Sequence, residues 1–233
     1  MNNNSFLSPV SVAVVVSAAT ATVGLILRAM KRSFSPTVHA KLSCRCGKIQ
    51  GEICAKKDDS VRLHCYCEDC RNYAQTIANL DDTTNENNPP ITYPCGESRI
   101  VQVCKNAVSI HQGTEYIRLA RKSKVQNGGG TGMFRYYAGC CYVPLMNTYD
   151  FLGFVGVLED NLDPREREKF YGPFKYCTKE AVKFPLEHNV PDMFGLVFVW
   201  NVLRYIPWTK AGPFDYSMTP TIFWGNDQSK KQT

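Results

Sequence analysis

The chemistry this chain can carry is concentrated in cysteines spaced two and three residues apart. Cys44-Arg45-Cys46 is a C-x-C pair, and Cys65-Tyr66-Cys67-Glu68-Asp69-Cys70 reads C-x-C-x-x-C. A disulfide needs Cα atoms near about 5.5 Å with converging Cβ vectors, which such close pairs rarely provide. Thiolates sharing one cation explain the spacing better, and three sulfurs from one short segment is a zinc spacing. Buried structural thiols would not cluster at these intervals. The chain holds eleven cysteines, an odd number, so at least one lies outside any intrachain disulfide.

The elements that must position these sulfurs are legible in the hydrophobic period. Ile49, Gly51 and Ile53 alternate with Lys48, Gln50 and Glu52; Val61, Leu63, Cys65 and Cys67 alternate with Arg62, His64 and Tyr66. Both stretches predict strands, separated by a polar turn over 56–60. Side chains two apart on a strand share a face, so Cys44 and Cys46 are expected to present both sulfurs to one ion, as are Cys65 and Cys67. Residues 69–80 predict a helix with Asp69 as N-cap and Tyr73, Ile77 and Leu80 on one face. Cys70 then falls in the first turn, where the macrodipole favours a thiolate.

More strands are expected over 99–103, 108–112, 116–120 and 133–137, with a polar loop over 81–90. The Gly128–Gly130 run lacks the Lys-Ser/Thr of a phosphate loop and reads as a flexible turn. The fold class expected is mainly β: a small antiparallel domain over 41–160 with one short helix beside the cysteines. A helical and irregular C-terminal extension over 161–233 packs on it. The extension opens with a helix at Pro164. Its apolar stretch 192–205 reads as a helix packing on the domain or lying at a membrane surface, and an aromatic end (Trp208, Phe214, Tyr216, Phe223, Trp224) reads as ordered strand and loop covering the domain.

Ahead of the domain, residues 1–9 form a tail and residues 10–27 are 18 uncharged residues followed at once by Arg28, Lys31 and Arg32. At about 1.5 Å per residue the run spans about 27 Å, near the hydrocarbon thickness of a thin bilayer. Charge on its C-terminal side places the N-terminus outside and the domain in the cytosol, where thiols stay reduced. A targeting leader to an organelle and a buried helix are the alternatives. Residues 28–40 read as a linker, ending in a small, polar stretch broken by Pro36. The net charge of +6 is spread without a block of like charges, which leaves a nucleic-acid role little support.

The motifs SCRCG at 43–47 and HCYCEDCR at 64–71, with a later cysteine motif, resemble the glutathione-dependent formaldehyde-activating enzyme/centromere protein V family. The resemblance covers about residues 41–160 and implies a β-rich, Mss4-like fold. It implies that Cys44 and Cys46 join a later cysteine pair around a structural zinc, and that Cys65, Cys67 and Cys70 hold a second, catalytic zinc with an open position for a thiol or water. The later motif departs from the family pattern R-x-F-C-x-x-C-G: from Arg135 the chain reads RYYAGCCYVPL. The family's second cysteine falls on Cys141 and its first on Ala138, with Cys140 as the nearby substitute. Adjacent residues on an extended chain point opposite ways, so Cys140 and Cys141 share an ion only across a tight turn, which Gly139 would permit.

On this resemblance the expected activity is that of a carbon–sulfur lyase acting on glutathione, or another thiol, adducts of formaldehyde or a similar aldehyde. The rival is a non-catalytic, zinc-stabilised, membrane-anchored interaction or thiol-binding module. Arg71 and the basic residues at 118–124 are candidate carboxylate binders or solvated surface charges. His64 and His111 are candidate ligands or proton carriers, though His64, between two ligand positions, should face away from the metal. Cys54, Cys95, Cys104 and Cys177 lack metal spacing and read as buried small hydrophobes.

Overall fold

The computed structural model describes residues 34–80, 97–122, 133–150, 152–170, 175–176, 213 and 217–224. The chain divides into two compact units, Met1–Pro36 and Thr37–Thr233, and the second carries both cysteine motifs. The expectations placed on residues 10–27, 81–90, 128–130 and 192–205, and on Cys95, Cys177, Trp208, Phe214 and Tyr216, lie outside the described residues. Among the described residues no helix is long and apolar enough to cross a membrane.

Period-two alternation builds the smaller sheet. In β1 (Thr37–Ser43) Val38, Ala40 and Leu42 point inward while Thr37, His39, Lys41 and Ser43 are exposed. β2 (Gln50–Lys56) pairs antiparallel with it, and β5 (Val108–Gln112) pairs antiparallel with β2. β1 starts at Thr37, inside the stretch expected to be linker. The larger sheet is made by β3 (Val61–Cys65), β4 (Ser98–Cys104), β6 (Ile117–Lys122), β7 (Met133–Ala138), β8 (Val143–Tyr149), β9 (Phe154–Leu158), β10 (Lys175–Tyr176) and β11 (Ile222–Trp224). Its order is β10-β3-β4-β9-β8-β7-β6-β11, antiparallel except where β10 joins β3 and β11 joins β6. The extension thus supplies a short strand at each end of this sheet.

One core joins the two sheets. Val38, Leu42 and Ile53 from the smaller, with Ile49 of the turn ahead of β2, meet Val101, Leu119, Leu145 and Val157 from the larger. Each such side chain, fully buried, contributes about 1.5–3 kcal/mol. On another part of the larger sheet, Tyr73 and Ile77 of α1 (Glu68–Ala78) pack against Ala120 and Tyr137. Covered in this way, β8 and β9 are buried almost throughout and show no polar alternation, which is why period two did not reveal them. Leu80, expected on the apolar helix face, lies past the helix end and is exposed.

The fold runs beyond residue 160. Leu42 bridges Leu162, the Asp163 N–H donates to the Lys41 carbonyl at 3.2 Å, and the Lys41 N–H donates to Glu166 Oε2 at 2.6 Å. These bonds cover the free edge of β1 with the segment around α2 (Pro164–Arg167), whose N-cap Asp163 accepts from the Arg165 N–H at 2.8 Å.

Arg62 on β3 makes two bonds to buried Glu159 (2.7 and 3.1 Å) and two to Glu168 (2.8 and 3.2 Å). The guanidinium's hydrogen bonds hold the Glu168 carboxyl below the usual glutamate range. A depressed pKa stabilises the fold above the unfolded value of about 4.3, and that contribution is lost as pH falls through the folded value. Glu168 is 60% exposed, so solvent screening limits its share to below about 1 kcal/mol. Glu168→Gln should therefore lower urea-unfolding stability slightly at pH 7, with the gap to wild type closing at pH 3.

Candidate metal centres

Four sulfurs meet where the two sheets adjoin. Cys44 and Cys46 come not from a strand but from the turn between β1 and β2. The Cys44 N–H donates to the Ile49 carbonyl (3.1 Å), the Gly47 N–H to the Cys44 carbonyl (3.0 Å), and the Ile49 N–H to Cys44 Sγ (3.3 Å). Gly47 takes φ +74°, a left-handed conformation that a side chain would strain. The turn curls both sulfurs to one side, so they share a site by a different geometry from the strand face expected.

Cys140 and Cys141 come from the turn between β7 and β8. The Tyr142 N–H donates to the Ala138 carbonyl at 2.8 Å, and Tyr142 itself takes φ +49°. Gly139, expected to supply the unusual backbone angle, is not left-handed. It serves close approach instead: a Cβ there would lie 2.8 Å from Arg118 Cγ. Because the chain turns, both neighbouring thiols reach the group and the fourth sulfur is present. Sγ–Sγ separations are 3.6 Å (Cys44–Cys46), 3.8 Å (Cys44–Cys140) and 3.4 Å (Cys46–Cys140), and all four sulfurs lie within 4.8 Å of one another. Metal–sulfur bonds of about 2.3 Å in a tetrahedron put sulfurs about 3.8 Å apart, so the group fits a four-thiolate ion.

Three further sulfurs gather within one short segment. Cys65 ends β3, Cys67 is the N-cap of α1 and Cys70 lies in its first turn. The expected strand face stops at Cys65, and Cys67 replaces Asp69 as cap: its Sγ accepts from the Cys70 N–H at 3.4 Å. Cys65 Sγ and Cys67 Sγ are 3.2 Å apart, and the three sulfurs lie within 4.8 Å of one another. Cys65 and Cys70 are buried and Cys67 is half-buried. Arg135, in the middle of β7 and itself buried, donates from Nη1 to Cys70 Sγ at 3.5 Å. Its role went unread in the sequence, although a charged residue inside the apolar strand MFRYYA was the available signal.

Electrostatics follows the geometry. Hydrogen bonds from Cys65 and Cys67, and then the Arg135 charge, hold the Cys70 thiol well below its ordinary value against the effect of burial. Cys67 is pushed up by its bonds to Cys65 and Cys70 and by burial. In the four-sulfur group burial pushes Cys46 up, but the Lys48 backbone and hydrogen bonds from Cys140, Cys44 and Cys141 outweigh it and lower the thiol to about 7. Burial raises Cys141 to about 11. Each group thus holds one lowered thiol, Cys70 in one and Cys46 in the other, that yields its proton to an ion most readily, since a metal binds the thiolate.

The other candidates fall outside both groups. Leu63 and Cys65 pack with Cys70, Ile100 and Leu158, and His64, alternating with them, belongs to the other face of β3. His111 is exposed, with Nε2 3.5 Å from Glu52 Oε1. Cys54 is exposed rather than buried, its Sγ 3.8 Å from His39 Nε2; Cys104 is half-buried. Arg118 donates to the carbonyls of Glu115 and Ile117, and Arg121 lies over the Phe134 ring at 4.4 Å.

A family model described as a family of unknown function matches residues 37–162, just over half of the chain. No curated protein matches. Among solved structures, a crystal structure of a Rhodobacter sphaeroides protein, a structural-genomics target, is similar at 15% identity with a TM-score of 0.34, covering 58% of this chain and 98% of that one.

Proposed function

The chain belongs to that family, DUF6151, whose function is unknown; from the arrangement of its sulfurs and its motifs we propose that it is a zinc-dependent, carbon–sulfur lyase-like enzyme acting on thiol adducts of formaldehyde or a similar aldehyde. One observation carries the reading: the two cysteine groups are unequal. Four sulfurs close one group and tie the smaller sheet to the larger, whereas the other offers three sulfurs from residues 65–70. A tetrahedral ion held by Cys44, Cys46, Cys140 and Cys141 has a full set of protein ligands, and one held by Cys65, Cys67 and Cys70 keeps a position for a further ligand. Bound there, zinc supplies a Lewis-acidic position at which a thiol such as glutathione loses its proton near neutral pH. The chain's own part is to hold and shield that position. The cap geometry of α1 fixes Cys67 and Cys70, the packing of Leu63, Ile100 and Leu158 keeps water from Cys65, and Arg135 brings a positive charge to Cys70. The motif resemblance to the formaldehyde-activating family supplies the class of substrate.

A second reading, a zinc-stabilised module without turnover, draws support from burial: Cys65 and Cys70 are only 7% and 4% exposed. Cobalt in place of zinc separates the two. The enzyme reading expects two ions per chain and an absorption spectrum that shifts when glutathione is added; an inert spectrum favours the module. Cys67→Ser should abolish the thiol response while the domain stays folded, because serine is itself a good helix N-cap. A variant that still responds to thiol would count against the site.

A further inference from the structure

We propose that Arg135 is a positioning residue of the three-sulfur group, one that makes the open position favour an anionic ligand over a neutral one. The proposal rests on the reading of that group as an open metal site. Three thiolates around a dication leave a formal charge of minus one, and a guanidinium brings the assembly to neutrality. Arg135 is 3% exposed, its Nη1 lies 3.5 Å from Cys70 Sγ, and its Cζ sits 5.2 Å from the centre of the Tyr73 ring. That ring is held in turn, since the Tyr73 hydroxyl donates to the Tyr136 carbonyl at 2.9 Å. The guanidinium is therefore fixed between a sulfur and an aromatic face, the two surroundings that its planar, permanently charged fork suits better than a lysine ammonium.

The four-sulfur group offers a contrast. Four thiolates and a dication carry minus two, but there Cys46 is exposed, Cys140 and Cys141 are half-buried and only Cys44 is buried, so water screens the excess. The three-sulfur group has two of its sulfurs buried and less water to do this work. Charge must be offset by the protein, and the residue placed to do so comes from β7, a strand remote in sequence from residues 65–70. An anionic fourth ligand would return the group to minus one with Arg135 present and to minus two without it. A neutral ligand leaves the balance unchanged.

The test uses the cobalt-loaded full chain titrated with 2-mercaptoethanol, which binds as its anion, and with imidazole, which binds neutral. Arg135→Met should weaken the thiol by roughly ten- to a hundredfold, the range expected for one unit charge at a partly shielded site. Imidazole affinity should stay within about twofold. Arg135→Lys keeps the charge and should recover part of the preference for thiol. Equal losses for both ligands would mean that Arg135 only supports the fold, and no loss for the thiol would overturn the assignment outright. If the wild-type spectrum answers neither ligand, the open position itself is wrong and the proposal falls with it. If Arg135→Met fails to fold, Arg135→Lys decides: loss of all preference in that variant overturns the proposal.

Discussion

Cys44→Ser and Cys141→Ser should each cost the domain most of its folding free energy, and a strong chelator should do the same to the wild type. The expectation comes from where the four-sulfur group sits. Cys44 and Cys46 leave the turn that joins β1 to β2, and Cys140 and Cys141 leave the turn that joins β7 to β8, so one ion would clamp the smaller sheet to the larger. A structural zinc is worth about 10–16 kcal/mol of apparent binding free energy at neutral pH, against about 5–15 kcal/mol of net stability for a whole domain. Loss of one of four ligands need not forfeit all of this, yet even half exceeds what the domain can spare. The three-sulfur group predicts the opposite. Its ligands all come from residues 65–70, so losing its ion frees no sheet from another. Urea unfolding monitored together with metal content compares the two. A Cys44→Ser protein that contains one ion fewer and unfolds at the wild-type midpoint would refute the clamp.

Arg62→Met should destabilise the fold by about 3–5 kcal/mol, the usual cost of removing one partner from a buried ion pair. Arg62 is 7% exposed and Glu159 only 1%, so the carboxylate cannot turn to water when its two hydrogen bonds are lost. Glu168, mostly exposed, can. For a chain of this size the loss corresponds to a fall in Tm of roughly 10 °C. Adding Glu159→Leu to Arg62→Met should restore much of the loss, because an apolar pair of similar volume leaves no buried charge behind. A double variant as unstable as the single one would show that the cost lies in packing around Arg62 rather than in the orphaned carboxylate.

Much of the fold could be read in advance where one face of a strand meets water. β5 lies over the expected 108–112, and β4 and β6 fall within a residue or two of their expected bounds; β7, buried almost throughout, was placed instead by the QNGGGTG loop ahead of it. β8 and β9 went unrecognised because side chains on both of their faces are buried, which erases the alternation that marks a strand. The helix beside the cysteines was anticipated, but its cap was not. Cys67 takes the place expected for Asp69, and a thiol is not among the residues that usually announce a helix start. In the extension the helix expected at Pro164 is α2, and the aromatic end, expected as strand and loop, supplies β11; the short β10 beside β3 was not anticipated.

The sequence by itself determined the three-sulfur group. Within six residues the chain has few ways to turn, and C-x-C-x-x-C brings its sulfurs together whether Cys67 ends a strand or caps a helix. The tertiary structure alone decided the rest. Whether Cys140 joins Cys44 and Cys46 across more than ninety residues depends on how two sheets adjoin and on a left-handed Tyr142 in the turn of β7 and β8. That Arg135 reaches Cys70 depends likewise on α1 packing over β7. Spacing along a chain encodes only the contacts that a few residues can close. Contacts between distant segments are set by sheet register and packing, which many residues decide together.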